Sequence, residues 1–294
     1  MRPLEELNLL DDFLMNQMIN HEKYGEPFCR ILIETLLGRK LGKFTIVAQK
    51  TIRGEDTDKH GIIMDVYLDE ENGETIDFEP DKNSDDKNDL PRRTRYYHSK
   101  IDSHKFGSGL EYSKLKDTRV IFISDYDPFD RNRMLYTVKN HCIEEPDMEY
   151  DDGNTTMYFY TKGNPSGCSE EIVRMLHFVE NTTSDYAVDE NLKTVDQMVT
   201  ELKVDRKVGL AYMKSWEKEN YLIKKGERIG EERGIAIGEE RGIAMVECGI
   251  QFMITDYLSE GKSEAEIIDK LQKGYGLTLE AAKEHFDRYA VMTV

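Results

Sequence analysis

Two neighbouring stretches of the chain carry acidic residues inside runs that otherwise have the pattern of β-strands. Residues 62–68 are almost entirely apolar, with Asp65 in their middle, and residues 75–79 alternate strictly between polar and apolar side chains. Because successive side chains of a strand point to opposite faces, the second run places its apolar residues on one face and its acids on the other. The apolar positions are Ile76 and Phe78, and the acidic positions are Asp77, Glu79 and Asp81.

The polar residues between the two runs indicate that the runs pair as a β-hairpin. Residues 69–74 form a short acidic connection that contains Asn72-Gly73, a pair typical of tight turns between antiparallel strands. In such a hairpin, Asp65 lies across from the acidic face of the second strand.

Several carboxylates on one face of a sheet repel one another and are costly to bury unless they are paired, protonated or bound to a metal ion. A divalent cation is the simplest remedy, and an all-oxygen ligand set suits Mg²⁺ or Mn²⁺ better than zinc. The alternative interpretation is that the acidic face points to solvent, as in any half-exposed antiparallel strand, and that only Asp65 is unusual.

The pattern before and after the hairpin predicts a mixture of helices and strands. Apolar residues at steps of three and four predict helices over residues 11–18 and 27–38, and alternation predicts a strand over residues 44–52. The later predicted elements are a helix from Leu90 to Asp102, strands over 120–124, 134–138 and 157–161, and a helix over 169–181.

The helix predicted from Leu90 contains the one basic cluster of the chain. Arginine and tyrosine side chains are suited to phosphate contacts and to stacking on bases, so this segment is a candidate DNA-binding surface. Alternatively, the arginines pair with the surplus of acids nearby. The cluster consists of Arg92, Arg93, Arg95 and Lys100, interleaved with Tyr96 and Tyr97.

Composition limits the classes of function. The formal net charge of −18 opposes binding of a polyanion over the whole surface, although one local basic patch beside a metal site remains compatible with it. The four cysteines have no metal-ligand or disulfide spacing. No apolar run approaches the length of a membrane span and the first residues lack a secretion-signal pattern, so we expect a cytoplasmic protein with no membrane contact.

The C-terminal third is helical by pattern and contains an eight-residue repeat with glycine at every fourth position from Gly226 to Gly242. Each glycine costs roughly 0.8–1 kcal/mol relative to alanine in a helix. Small residues at this spacing let two backbones approach closely, which predicts a homo-oligomer through this helix or a flexible tether. We expect two domains, over residues 1–225 and 226–294.

Together these features resemble the Rpn-type recombination-promoting nuclease and transposase family of the PD-(D/E)XK nuclease superfamily. The resemblance covers roughly residues 10–245, and the LPRRTRYYHSKID segment is its most specific part. It implies an α/β fold with a PD-(D/E)XK restriction-endonuclease-like core, in which helices flank a central mixed sheet, followed by a helical C-terminal extension. The implied activity is Mg²⁺-dependent or Mn²⁺-dependent cleavage of DNA phosphodiester bonds.

The resemblance also implies roles for individual residues. Asp65 and Glu79 match the two acids of the family pattern, which makes them catalytic and metal-binding candidates. Asp81 occupies the catalytic position where the family has Lys or Gln to orient the attacking water, so reduced turnover is expected. A helix glutamate ahead of the strands often completes the metal site, and Glu34 is the candidate, with Glu26 as the alternative.

The implied mechanism is metal-assisted hydrolysis of DNA held by the basic helix. Lys82 follows the motif one residue late and faces away from the acids unless the chain bends after Pro80. His98 stands where the family commonly has Gln, and it either supports the site by hydrogen bonding or is a plain surface residue. The DNA-binding candidates are Arg92, Arg93, Arg95, Tyr97, His98 and Lys100. The alternative function is a catalytically inactive DNA-binding or oligomeric interaction protein on the same fold, which Asp81 and the net charge favour.

Overall fold

A computed structural model of the protein describes residues 2–52, 62–71, 73–105, 107 and 109–290. Its helices are α1 (Asp12–Ile19), α2 (Gly25–Leu37), α3 (Leu90–Lys105), α4 (Glu170–Glu180), α5 (Glu190–Lys203), α6 (Arg206–Ser259), α7 (Glu264–Tyr275) and α8 (Leu279–Ala290). Its strands are β1 (Phe44–Ile52), β2 (Ile62–Glu70), β3 (Thr75–Asp81), β4 (Thr118–Ser124), β5 (Leu135–Val138) and β6 (Asn154–Tyr160).

The strands form one mixed sheet in the order β1-β2-β3-β4-β6-β5. The first three strands make an antiparallel meander, whereas β4 runs parallel to β3 and β6 runs parallel to β4. The edge strand β5 returns antiparallel to β6. This sheet and its flanking helices confirm the predicted α/β fold of the PD-(D/E)XK type with a helical C-terminal extension.

The predicted hairpin is confirmed as the pair β2 and β3. Its antiparallel register runs from Val66 opposite Phe78 to Asp69 opposite Thr75. Asn72 of the predicted turn lies outside the described residues. The prediction fits because the first run is β-branched and apolar and the second alternates with a period of two, while the connection is polar and contains glycine.

The two faces of the sheet pack against different helices. Ile76 and Phe78 of β3 belong to the larger core, together with Leu14 of α1 and Phe28 of α2. The opposite face packs against α3 in a smaller core made of Met64, Tyr67, Leu90, Tyr97, Ile101, Val120, Phe122 and Tyr158. The period-two pattern of β3 therefore sends its apolar residues into the larger core and its acids toward the α3 side of the sheet.

β6 begins earlier than its sequence pattern predicts. It starts at Asn154 instead of residue 157, because Thr155 and Thr156 continue its parallel pairing with β4. Both threonines are buried at the sheet, and threonine is favoured in strands by its branched Cβ.

Helix α2 ends at Leu37 and is followed by Gly38, which adopts a left-handed conformation with φ of 63° as expected for a helix-ending glycine.

The chain forms two compact units, Met1–Lys214 and Ser215–Val294. The first unit contains the sheet and helices α1 to α5. The second has its own small core, formed by Ile250, Ile254, Ile267, Ile268, Leu271, Ala282 and Tyr289. The sequence-based boundary near residue 225 stays a prediction, since α6 runs without interruption through both sides of it. Within the described ranges, no helix has both the length and the apolar character needed to cross a membrane.

Candidate active site

Strand β3 buries three carboxyl groups on one side of the sheet. The exposed fractions of Asp77, Glu79 and Asp81 are 0%, 2% and 6%. The alternative interpretation of a solvent-facing acidic strand is therefore wrong, because α3 covers this face and the neighbouring aromatic residues exclude water. Buried acids need a partner, a proton or a cation, so each of these groups requires a physical explanation.

Asp65 and Glu79 are brought together by the hairpin register. The backbone pairing of β2 with β3 reaches Val66 opposite Phe78, so the next position places Asp65 opposite Glu79. There the Asp65 N–H donates to Glu79 Oε1 at 2.9 Å. The half-buried Asp65 carboxylate itself accepts no hydrogen bond and forms no ion pair within the described ranges. Asp65 and Glu79 are thus placed side by side, and only Glu79 has a positively charged group in direct contact.

Arg93 of α3 supplies that positively charged group. Its guanidinium donates to Asp81 Oδ2 at 2.9 Å and to Glu79 Oε2 at 3.3 Å. The same group lies over the ring of Phe122, 5.1 Å from its centroid, and over that of Tyr97, 5.6 Å from its centroid. Ion pairs and cation–π contacts both fix the guanidinium against the sheet. Arg93 therefore acts as an internal counter-ion of the acid cluster, although the sequence predicts it as a DNA contact.

Burial and mutual repulsion raise the pKa values of Glu79, Asp65 and Asp77. The pKa of Glu79 rises to about 8, mainly through burial and then through the charge of Asp65, while Arg93 and the Asp65 N–H oppose the shift. The pKa of Asp65 rises to about 6 through burial and the charge of Asp12. Burial and the charges of Glu79 and Asp65 raise the pKa of Asp77 well above its usual value. Neither carboxyl oxygen of Asp77 has a hydrogen-bond partner in the described part of the chain. The cluster therefore carries more negative charge than Arg93 alone offsets.

Glu34, the metal-site candidate in α2, is not brought to this cluster. It accepts a hydrogen bond from the Leu41 N–H at 3.0 Å, and the adjoining Gly42 N–H donates to Glu70 Oε1 at 2.6 Å. Glu70 lies five residues from Asp65 along β2, which corresponds to about 16 Å of strand. Glu34 therefore sits at the hairpin end of the strand, where it stabilises the connection between α2 and β1.

The helix acid nearest the cluster comes from α1. Glu26, the alternative candidate, is exposed and pairs with Arg30 at 2.6 Å on its own helix. Asp12, in the first turn of α1, instead interacts with the charges of both Asp65 and Asp81. Burial and the charge of Asp81 raise the pKa of Asp12. The sequence did contain a signal for Asp12, namely an acid on a helix ahead of the strands, but only the packing of α1 distinguishes it from the acids of α2.

Lys82 reaches the edge of the cluster because the chain bends after β3. The Asn83 N–H donates to Asp81 Oδ1 at 2.8 Å, which closes a turn around Asp81. Lys82 Nζ then lies 2.9 Å from Asp11 Oδ1, and its charge opposes the rise in the pKa of the neighbouring Asp12. The bend after Pro80 that the sequence left open is absent, because Pro80 and Asp81 stay paired with β4, and the chain turns only after Asp81 to place the Lys82 amine beside the α1 acids.

The other DNA-binding candidates divide between the two sides of α3. Arg92 and Arg95 are exposed, and Arg92 forms a single ion pair with the equally exposed Asp89, 3.4 Å away. Lys100 lies over the ring of Tyr96, 5.4 Å from its centroid. Exposed ion pairs are weak, so Arg92 and Arg95 are available to an incoming phosphate.

Tyr97 and His98 instead point inward. Tyr97 is buried and packs against Phe122, with ring centroids 6.4 Å apart. His98 Nε2 lies 3.0 Å from Thr156 Oγ1 of β6. Tyr97 is therefore a packing residue beneath Arg93, and His98 supports the α3–β6 contact instead of lying free on the surface.

The donor set fits a hard divalent cation by its chemistry and its charge. The acids offer only oxygen donors, and their raised pKa values reflect a shortage of positive charge. However, Glu79 and Asp81 each give one oxygen to Arg93 and the other to a backbone N–H. As arranged, no three His, Cys, Asp or Glu residues of the described ranges form a metal-binding group. A cation entering this cluster therefore has to displace Arg93.

Comparison with known proteins gives one match. The family model described as PD-(D/E)XK nuclease family transposase matches residues 9–151, slightly less than half of the chain. This segment runs from just before α1 to just before β6, so it contains all the clustered acids together with Lys82 and Arg93. No curated protein and no solved structure gives a significant match.

Proposed function

We propose, from the match of residues 9–151 to the model of PD-(D/E)XK nuclease family transposases, that this domain hydrolyses DNA phosphodiester bonds with Mg²⁺ or Mn²⁺ at the cluster formed by Asp65, Glu79 and Asp81. The observation that carries the proposal is the convergence of Asp65 and Glu79, whose N–H and carboxylate are 2.9 Å apart. These are the two acids that match the family pattern, and they come from different strands.

The acids have distinct roles in this proposal. Asp65 and Glu79 would hold the cation, and Asp12 is the helix acid whose charge acts on Asp65. When bound, the cation supplies a Lewis acid and a nucleophilic water at neutral pH. Asp77 lies beneath the cluster, where its raised pKa favours a protonated and uncharged form.

Lys82 takes the role of the amine that position 81 lacks. Its Nζ is held 2.9 Å from Asp11 Oδ1, beside the acid that α1 contributes. A fixed positive charge at this edge stabilises the negative charge that develops on phosphate oxygens during hydrolysis. The bend after β3 thus compensates for the acid at position 81.

Arg93 links metal binding to DNA binding. If Glu79 and Asp81 were to hold the cation, the Arg93 guanidinium that now donates to them would be free to donate to a phosphate. Arg92 and Arg95, exposed on the same helix, extend this contact along the strand. The proposal therefore assigns DNA as the partner of α3, with Arg93 joining the contact after the cation is bound.

Nicking of supercoiled plasmid tests the proposed function. We expect nicking in Mg²⁺ or Mn²⁺, and we expect Asp65→Asn and Glu79→Gln to reduce it by at least about 100-fold, because loss of outer partners of a metal site alone costs 10–100-fold. Lys82→Ala is expected to cost on the order of tenfold or more. Glu34→Gln is the matched control, since Glu34 is an acid of the same domain held away from the cluster.

The second candidate function is a DNA-binding protein without catalysis. The observation in its favour is that Arg93 already neutralises Glu79 and Asp81, so that the domain is internally paired without a cation. DNA binding without nicking in either metal would favour this candidate over hydrolysis. Equal nicking by Asp65→Asn and wild type would remove the proposed site from the reaction.

A further inference from the structure

A cavity of about 390 Å³ lies along the face of α3 next to the one that carries Arg93. Thr94, Arg95 and His98 form its helical side, and β6 and the end of β5 form the opposite side. Its volume falls in the range of small-ligand sites. Neither the acid cluster nor the proposed hydrolysis uses any of these lining groups except Arg95.

The floor of the cavity is aromatic and rigid. Phe129 meets Tyr158 edge to face, with ring centroids 5.0 Å apart, and Tyr158 stacks on Phe122 at 5.6 Å. The Tyr158 hydroxyl lies 2.8 Å from Thr94 Oγ1, which fixes the ring against α3. Tyr158 itself is buried, whereas Phe129 is half-buried, so the Phe129 ring is the surface on which a nucleobase stacks regardless of its identity.

The walls carry groups that hydrogen-bond in both directions. Asn140 and Asn154 contribute amide side chains. His98 uses Nε2 in its contact with Thr156, while its Nδ1 has no partner among the described residues. Burial lowers the pKa of His98 to about 4, so the ring is neutral at pH 7, but its Nε2 is engaged by Thr156 and its Nδ1 is enclosed, which leaves the amides of Asn140 and Asn154 as the lining groups that both donate and accept. Such mixed donors and acceptors match the edge of a nucleobase better than they match an apolar ligand.

The rim carries two positively charged side chains, Arg95 and Lys139. Arg95 and Lys139 line the cavity, are exposed, and form no ion pair with any residue in the described ranges. The chain has a net charge of −18, so most of its cationic side chains have acidic partners available. Two cationic side chains without such partners beside a cavity are therefore candidate contacts for an anionic ligand. The nearby carboxylate of Asp152 is itself held, by the Asn140 side chain at 2.6 Å and the Asn154 N–H at 3.0 Å.

The cavity is within reach of a strand bound at the acids. Glu79 of β3 is in register with Phe122 of β4, and Phe122 is in register with Tyr158 of β6. Two strand spacings correspond to about 10 Å. This is roughly three nucleotide steps along one strand of a duplex, at about 3.4 Å each.

From these contacts we propose that the cavity binds one nucleotide of the DNA strand about three steps from the cleaved bond, with its base against Phe129 and its phosphate at Arg95 and Lys139. The proposal rests on the proposed function for the presence of a strand at the acids. The binding itself does not require hydrolysis, so the two are tested separately.

The test measures how much the bases contribute to binding. Fluorescence anisotropy with the full chain in EDTA compares a labelled 12-nucleotide DNA strand with an abasic strand of the same length. We expect the wild type to bind the base-containing strand at least about fivefold more tightly, as one stacked base provides. Val138→Trp is expected to bring the two affinities within about twofold, because Val138 lines the cavity and is exposed enough to accept a larger ring.

Val188→Trp is the matched control, since Val188 is also exposed but lies outside the cavity, and it should keep the base preference. Arg95→Met keeps the side-chain length and tests the phosphate contact. It should weaken both strands and reduce the slope of log affinity against log salt by about 0.7. Circular dichroism of each variant checks that it is folded.

Some results would overturn the proposal. They are an unchanged base preference in folded Val138→Trp, an unchanged salt slope in Arg95→Met, and a wild type without any base preference. Displacement of the base-containing strand by millimolar dAMP would show that the cavity also takes a free nucleotide, whereas resistance to dAMP would identify the strand as the ligand. Nicking without a base preference would overturn only the proposed nucleotide binding in the cavity. A base preference without nicking would overturn only the proposed hydrolysis.

Discussion

Arg93 balances the buried acids, which is one of the two roles that the sequence leaves open for the basic cluster, and in the proposed function it also contacts the phosphate backbone. It bridges Glu79 and Asp81 while stacked on Phe122, and its side chain is one third exposed. Removing one partner of such a pair leaves the others buried and uncompensated. A cation in the cluster offsets that loss, which makes the consequence of removing Arg93 dependent on metal.

We therefore expect Arg93→Gln to lower the free energy of unfolding by about 1–3 kcal/mol in EDTA, discounted for partial exposure. With Mn²⁺ the loss should shrink, and Mn²⁺ should bind the variant more tightly than the wild type because no guanidinium has to be displaced. Urea unfolding and Mn²⁺ titration by calorimetry measure both effects. Arg92→Gln, an exposed neighbour, serves as the control. The same loss of stability with and without Mn²⁺ would contradict this account.

Asp77 gives the metal-free protein a stability that falls with rising pH. Its folded-state pKa lies above the unfolded value near 3.9, so between these values the folded state binds more protons than the unfolded state. Stability is therefore present at low pH and is lost as pH rises through this window. The expected cost is about 1.4 kcal/mol for each pKa unit of the shift.

Asp77→Asn should remove this dependence, because an amide does not titrate. Relative to the wild type, the variant should gain stability as pH rises above the unfolded-state value near 3.9, which urea unfolding in EDTA measures. The exposed Asp147→Asn provides the comparison and should show no such gain. A difference between Asp77→Asn and wild type that stays constant across this range would mean that Asp77 does not hold its proton in the folded protein.

At the scale of elements, the sequence predicts much of the site because two elements have unambiguous periods. The alternation of β3 predicts which face carries Asp77, Glu79 and Asp81, and the polar connection predicts the hairpin that brings Asp65 beside them. Both are local properties of the chain. They hold because a shift of one residue would turn Phe78 out of the larger core.

The partners contributed by helices could not be predicted in the same way. The pattern of α3 predicts a helix, yet its rotation about its own axis decides that Arg93 meets the acids and that His98 meets Thr156. That rotation is set by packing of Tyr97 and Ile101 on the sheet. Likewise, the choice of Asp12 over Glu34 depends on how α1 and α2 pack, which no period in the sequence encodes.

At the scale of the whole molecule, the strongly negative chain carries little free positive charge on the proposed DNA-binding side. Arg92, Arg95 and Lys139 are exposed there, whereas Arg93 is paired with acids. Because DNA is also a polyanion, the divalent cation is expected to contribute to binding as well as to hydrolysis. Because of the net charge, we expect the affinity for DNA to be higher with the divalent cation than without it.

The glycine repeat of α6 remains the proposed route to a homo-oligomer. A Cβ added at any repeat glycine meets no atom within 4 Å in the single chain, so alanine should be tolerated at Gly226, Gly230, Gly234, Gly238 and Gly242. Ile235 and Ile237 between these glycines, and Ile243 directly after Gly242, are exposed. Open space in the monomer together with exposed apolar residues is compatible with close packing against a second copy.

Gly234→Ala combined with Gly238→Ala is expected to stabilise the helix by roughly 0.8–1 kcal/mol per site while weakening self-association, since the added methyl groups hold the two backbones apart. Circular dichroism reports the first effect and sedimentation over a range of concentrations reports the second. Gly209→Ala, in α6 but outside the repeat, is the control. Unchanged association in the double variant, or a wild type that is monomeric throughout, would exclude this route.

The far wall of the cavity, Asn154, Thr156 and Tyr158, belongs to β6 and follows the segment that matches the family model. The acids proposed to hold the cation all precede this strand. If the cavity binds a nucleotide as proposed, substitutions in β6 would change the affinity for that nucleotide while leaving these acids intact. Binding of the flanking nucleotide and hydrolysis would then be altered independently of each other.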